Sequence, residues 1–125
     1  MVLQMAKKVV LIEDDLDIQR IYGSKLETAG YEVLLAIDAS QGFTLIKDVS
    51  PNIVLLDIML PGKMNGMDLL KTLKESPDYK NIPVVVLTNL DTQKHEALKM
   101  GAYDYIIKAN TNLNEIVAKV AKFAR

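Results

Sequence analysis

Five short apolar runs, Val9–Ile12, Val33–Ala36, Ile53–Leu56, Val84–Leu87 and Tyr105–Ile107, recur along the chain at roughly even spacing. Most are rich in Val, Ile and Leu and do not alternate with polar residues. That is the pattern of strands buried on both faces, as in a parallel sheet. The segments between them carry helical spacing. Leu16–Ala29 sets Ile18, Ile21, Tyr22, Leu26 and Ala29 near one face, with Gly30 at the stop. Asp38 with Gln41, and Asn112 with Glu115, have capping-box spacing at the heads of two more helices. Met67–Glu75 is bounded by Gly66 and Pro77, and Asp91–Met100 has Asp91 as its expected cap and Gly101 as its stop. Strand and helix thus alternate five times, which specifies an α/β fold: a doubly wound, five-stranded parallel sheet with five helices distributed over both faces. The length fits one domain over residues 1–125, with residues 1–7 expected as a loose N-terminal extension.

Composition narrows the function classes. The formal net charge of −1 provides no global field toward nucleic acid or an anionic membrane. With no cysteine, a disulfide frame and a thiolate metal site are both excluded, and the chain fits a reducing cytoplasm. No apolar run approaches the length of a membrane span, and the N-terminus has no signal-peptide core. There is no phosphate-binding glycine loop, dinucleotide fingerprint or zinc-ligand spacing. His95, the single histidine, falls among Lys94, Glu96 and Lys99 and reads as a solvated helix-face residue.

The chemistry gathers at the strand tips. Glu13, Asp14 and Asp15 follow the first strand, Asp57 the third, Thr88 the fourth and Lys108 the fifth. In an open doubly wound sheet, ligands bind outside the carboxyl ends of the strands, near the point where strand order reverses. Singly, each residue has a plainer explanation: acids cap helices, an Asp ends a strand in a turn, and a Thr or Lys is solvated surface. Together, clustered carboxylates repel unless a hard cation such as Mg2+, with oxygen ligands, offsets them. A carboxylate there can attack phosphorus to give an aspartyl phosphate, with an ammonium and a hydroxyl stabilising the phosphoryl oxygens.

The pieces LIEDD, LLDIMLPGKMNGMDLL, PVVVLT and GAYDYIIK, in this order, resemble the receiver domains of two-component response regulators, over about Lys8 to Phe123. The likeness is to the single-domain, chemotaxis-regulator-like type. It implies a flavodoxin-like sheet of order 2-1-3-4-5. It also implies a phosphoryl group accepted on Asp57 from a sensor histidine kinase or a histidine phosphotransfer protein. Glu13, Asp14, Asp57 and the Met59 backbone carbonyl would hold Mg2+ or Mn2+. Thr88 and Lys108 would bind the phosphoryl group, and Tyr105 would be the switch aromatic. The signal would pass through helix four, strand five and helix five to a downstream protein target. Such a chain catalyses its own phosphorylation and dephosphorylation without being an enzyme for a free substrate.

The chain departs from the family pattern at several points. Lys63 makes the loop after Asp57 one residue longer, and the stretch from Thr88 to Lys108 is about two residues short, implying a tight loop before helix four. Asn89 stands where a small residue is usual. Ala109 replaces the usual proline, so the bond after Lys108 has no proline to favour a cis form. Asp15, Asn89 and Ala109 are therefore the expected modulators of the site. Two other readings compete: a receiver-like interaction module that needs no phosphorylation, and a small hydrolase with Asp57 as nucleophile. The second lacks the acid two residues on, where Met59 stands.

Overall fold

The computed structural model describes residues 5–125, so Met1–Gln4 of the expected N-terminal extension lie outside the described residues. By Lys7 the chain is already tied to the sheet, its carbonyl accepting from the Glu32 N–H at 3.0 Å. The elements are β1 (Lys8–Ile12), α1 (Leu16–Thr28), β2 (Glu32–Ala36), α2 (Ala39–Val49), β3 (Ile53–Leu56), α3 (Gly66–Glu75), β4 (Val84–Thr88), α4 (Lys94–Met100), β5 (Asp104–Ile107) and α5 (Leu113–Phe123). One turn of 3-10 helix, Lys108–Asn110, joins β5 to α5. All strand pairs are parallel, in the order β2-β1-β3-β4-β5.

Alternate residues of the central strands feed two separate cores. Val10, Ile12, Val54, Leu56, Val84 and Val86 pack under α2, α3 and α4 through Ile46, Leu69, Leu73 and Ala97. Val9, Leu11, Ile53, Leu55, Val85 and Leu87 pack under α1 and α5 through Leu26, Ile116 and Val120. The unbroken apolar runs are explained for β1, β3 and β4, which are covered on both sides. β2 is an edge strand, and its Leu35 stays 43% exposed.

The helix boundaries hold three corrections. In α1 the buried stripe is Gln19, Gly23 and Leu26, while Ile21 faces out. That stripe lies against Val33 and Leu35 of β2, at a distance where a Cβ on Gly23 would make ordinary contact. α4 starts at Lys94, not Asp91, and its N-cap Gln93 makes no side-chain cap bond. Leu90 is held on both sides of its backbone by Thr88 and Tyr105, which keeps the chain out of helix past the expected cap. The loop therefore spans residues 89–93, and the shortness falls on the seven-residue helix instead. At α3 the true cap is Asn65, in a reciprocal capping box with Asp68 at 2.9 and 3.0 Å.

That box seats the first turn of α3 directly on the β3 exit. A Cβ at Gly66 would overlap the Ile58 Cα and the Asp57 carbonyl oxygen. Both are backbone atoms that cannot swing aside. Gly66→Ala should destabilise the protein by about 1–3 kcal/mol, the range of core overpacking. Urea unfolding checks this, and a native midpoint would show that the α3 approach is looser than described.

Candidate functional site

Register brings the acids together. Ile12 pairs with Leu56, so Glu13 and Asp57 leave neighbouring strands at one level. Two backbone bonds fix that level: Asp57 N–H to the Ile12 carbonyl at 3.0 Å and Glu13 N–H to the Ala36 carbonyl at 2.9 Å. On the other side Leu56 pairs with Val86 and Thr88 with Ile107, which sets Thr88 and then Lys108 against the same end of the sheet. Glu13, Asp57 and Thr88 are buried, with Thr88 fully so, whereas Asp14 and Asp15 are exposed.

Lys108 is the hub. Its ammonium donates to Glu13 Oε1 and, at 2.9 Å, to Asp57 Oδ2, and its side chain is only 8% exposed. Burial works to lower the Lys108 pKa, but the hydrogen bonds from Glu13 and Asp57 and their charges outweigh it, and the ammonium is held above its ordinary value. For Glu13 burial is the larger effect: it raises the carboxyl above its ordinary value against the pull of Lys108. The Lys108–Ala109 bond is not cis, and the lysine still reaches both acids.

Of the other predicted residues, Asp14, Asp15, Met59 and Asn89 share a cavity with these groups, while Thr88 and Tyr105 do not line it. Met59 N–H donates to Asp57 Oδ1 at 2.9 Å, and Met59 itself is 56% exposed. Thr88 Oγ1 accepts from the Leu90 N–H at 3.3 Å, and the Tyr105 hydroxyl donates to the Leu90 carbonyl. Tyr105 is buried. Asn89 Oδ1 accepts from the Ala109 N–H at 2.9 Å. Asp15 is the α1 N-cap, accepting from the N–H groups of Asp17 at 3.0 Å and Ile18 at 3.1 Å. A cavity of about 300 Å3 is lined by Glu13, Asp14, Asp57, Met59, Asn89 and Lys108, together with Asp15 and Ile18.

Glu13, Asp14 and Asp57 each present an oxygen within 4.8 Å of the others. An all-oxygen set of three carboxylates suits a hard divalent cation such as Mg2+ or Mn2+. Lys108 offsets the two buried acids, and exposed Asp14 opens the set to solvent and to an ion.

Two contributors escaped the sequence reading. Gln19 is buried and its amide donates to the Glu13 carbonyl at 3.2 Å and the Ala36 carbonyl at 3.0 Å, pinning the acidic loop to β2. Its available signal was a polar residue one turn into α1 on an inward stripe. Leu90 acts through its peptide, and no side-chain pattern reports that.

These features define a class: a doubly wound domain with a lysine-braced acidic cavity at its strand-order reversal. The family model described as "Response regulator receiver domain" matches residues 9–121, and the chain belongs to that family. A probable transcriptional regulator, ycf27, of Cyanophora paradoxa is 35% identical over 104 residues, 82% of this chain, and the chain spans 42% of that relative's length. The BeF3-activated N-terminal receiver domain of Klebsiella pneumoniae RstA is 33% identical, with a TM-score of 0.83, covering 94% of this chain and 98% of that one. The Mn2+-bound form of the response regulator Rcp1 is 27% identical, with a TM-score of 0.79, covering 94% of this chain and 93% of that one. Among the described residues no helix is long and apolar enough to cross a membrane.

The raised Glu13 pKa has a definite sign. Protonation of Glu13 favours the folded form, so its contribution is fully present below the ordinary value of 4.5 and is lost as pH rises through the folded value. Above that window the ionised, metal-free site costs stability. Glu13→Gln, neutral throughout, should gain on the native protein as pH climbs from 4.5 toward 7. Urea midpoints in the presence of a chelator test it, and a gap that is flat or shrinks with pH contradicts the assignment.

Proposed function

We propose that the chain is a phosphorylation-switched receiver that takes a phosphoryl group on Asp57 from a phosphohistidine of a sensor kinase or phosphotransfer protein. The observation that carries this reading is Asp57 itself: buried at a strand tip, one oxygen held by Lys108 and the other by the Met59 N–H. A carboxylate fixed at both oxygens presents a defined lone pair to the cavity.

In the transfer an Asp57 oxygen attacks phosphorus in line with the P–N bond of the donor. The new O–P bond forms as the P–N bond breaks, and the electron pair leaves on the imidazole nitrogen. Lys108 exchanges part of its bond to Asp57 for the incoming phosphoryl oxygens, and the Thr88 hydroxyl supplies a further donor. Glu13, Asp14, Asp57 and the Met59 carbonyl are the residues that would hold Mg2+ or Mn2+. Such an ion, when bound, neutralises charge developing on the phosphoryl oxygens.

The signal then runs through Leu90. Turning the Thr88 hydroxyl toward a phosphoryl oxygen withdraws it from the Leu90 N–H, while the Leu90 carbonyl is what holds the Tyr105 hydroxyl. One peptide therefore couples the site to β5 and to the surface of α4, β5 and α5, where a downstream protein would read the state. A cytoplasmic setting is the one in which such donors act.

Acetyl phosphate with Mg2+ should add one phosphoryl mass to the native chain and none to Asp57→Ala. An equal adduct on Asp57→Ala, or no adduct on the native protein, overturns the proposal. Lys108→Ala should slow the same reaction by about 100-fold or more, as expected when one charge-stabilising donor is removed.

A further inference from the structure

The two departures on either side of the site, Asn89 and Ala109, are in contact. Asn89 leaves β4 one residue past Thr88, and its Oδ1 accepts from the Ala109 N–H at 2.9 Å, across 20 residues of sequence. Ala109 is the middle residue of the 3-10 turn whose first residue is Lys108. That turn has no cap of its own, because the preceding residue, Ile107, provides no side-chain bond. The first N–H groups of any helical turn lack partners within it. Here one of them is satisfied from a different loop, and a proline at position 109 would have had no N–H to offer.

We propose that Asn89 is a positioning residue for Lys108, acting as a cap supplied in trans from the β4–α4 loop that holds the 3-10 turn and so aims the ammonium. This rests on the phosphoacceptor reading above and deepens it.

Three observations support the assignment. The ammonium must meet Glu13 and Asp57 together, so rotation at its root disturbs both bonds. The turn is also bridged by Thr111, whose hydroxyl donates to the carbonyl of Ile107, just before the turn, at 3.0 Å, with a long 3.3 Å bond from the Thr111 N–H to the Lys108 carbonyl. Thr111 is the neighbour in sequence, whereas Asn89 holds a turn N–H from a separate loop. The amide is also oriented by the bond: with Oδ1 on the Ala109 N–H, its NH2 is what remains to face the cavity it lines. Both residues are exposed, which limits the effect to that of a single net hydrogen bond.

The experiment combines dynamics with kinetics. In native protein the Ala109 amide should exchange slowly with deuterium, and the Lys108 side chain should show a high 13Cε order parameter. Asn89→Ala should lower both, while Asn89→Asp, which keeps the acceptor, should retain both. Asn89→Ala should slow acetyl-phosphate phosphorylation by about 2- to 10-fold, the span of one net hydrogen bond. It should have no effect in a Lys108→Ala background, because its action passes through the lysine. Unchanged Ala109 exchange or Lys108 order in Asn89→Ala overturns the proposal. So does an undiminished rate loss in the Lys108→Ala background. If the native chain takes no phosphoryl group, the phosphoacceptor reading fails alone, and the exchange and order measurements still decide the role of Asn89.

Discussion

Two buried carboxylates lie side by side at the centre of the sheet, and one ammonium holds them. Glu13 and Asp57 are each about 5% exposed or less, and Lys108 donates to both. Coulomb repulsion between acids at this depth is far larger than at the surface. Removing one member of such a buried set costs about 3–5 kcal/mol, since the others are left uncompensated. The arrangement is therefore possible only where the backbone fixes three strand tips to within a hydrogen-bond length. A parallel sheet does that: pairing of Ile12 with Leu56 and of Thr88 with Ile107 sets the levels of Glu13, Asp57 and Lys108 before any side chain is placed.

The scaffold around the tips is built to the same tolerance. Gly66 admits α3 against the Asp57 carbonyl, Gln19 ties the Glu13 carbonyl to β2, and the Met59 N–H holds the second oxygen of Asp57. None of these contacts is apolar, and none lies in either core. They spend backbone and amide donors on orientation, where the cores supply the stability. On the far side of the cavity the order is reversed. The β4–α4 loop is held by single bonds through Leu90 and Asn89, and α4 is the shortest helix, with no side-chain cap. Fewer bonds to break mean a lower cost for local rearrangement. The rigid half carries the acids, and the loosely tied half begins one residue past Thr88 and borders Tyr105.

What could be read in the sequence follows from where the information sits. The strands were legible because β1, β3 and β4 are covered on both faces and so carry unbroken apolar runs. The caps Asp38 and Asn112 were legible because a cap and its target are three residues apart; Asp38 accepts from the Gln41 N–H and Asn112 from the Glu115 N–H. Asp91 obeyed the same local rule and failed, because the Leu90 peptide is claimed from outside the segment. Asp15, one of three consecutive acids, is the cap, while Glu13 and Asp14 turn to the cavity. Periodicity alone does not divide such a run; the β1–β3 register does.

The same distinction explains the two residues that break the family pattern. Taken separately, a larger side chain after Thr88 crowds the cavity, and the loss of proline after Lys108 loosens the turn. In the fold they are one feature, since the N–H that alanine restores is the one that the asparagine carbonyl meets. A proline ring would fix the backbone locally, whereas this hydrogen bond fixes it across 20 residues. The two devices differ physically. A ring constrains the turn whatever the neighbouring loop does, whereas the hydrogen bond holds only while the β4–α4 loop keeps its place. That loop also carries the Leu90 peptide between Thr88 and Tyr105. The loop that follows Thr88 is thus bonded at Asn89 to the turn that carries Lys108 and at Leu90 to Thr88 and Tyr105.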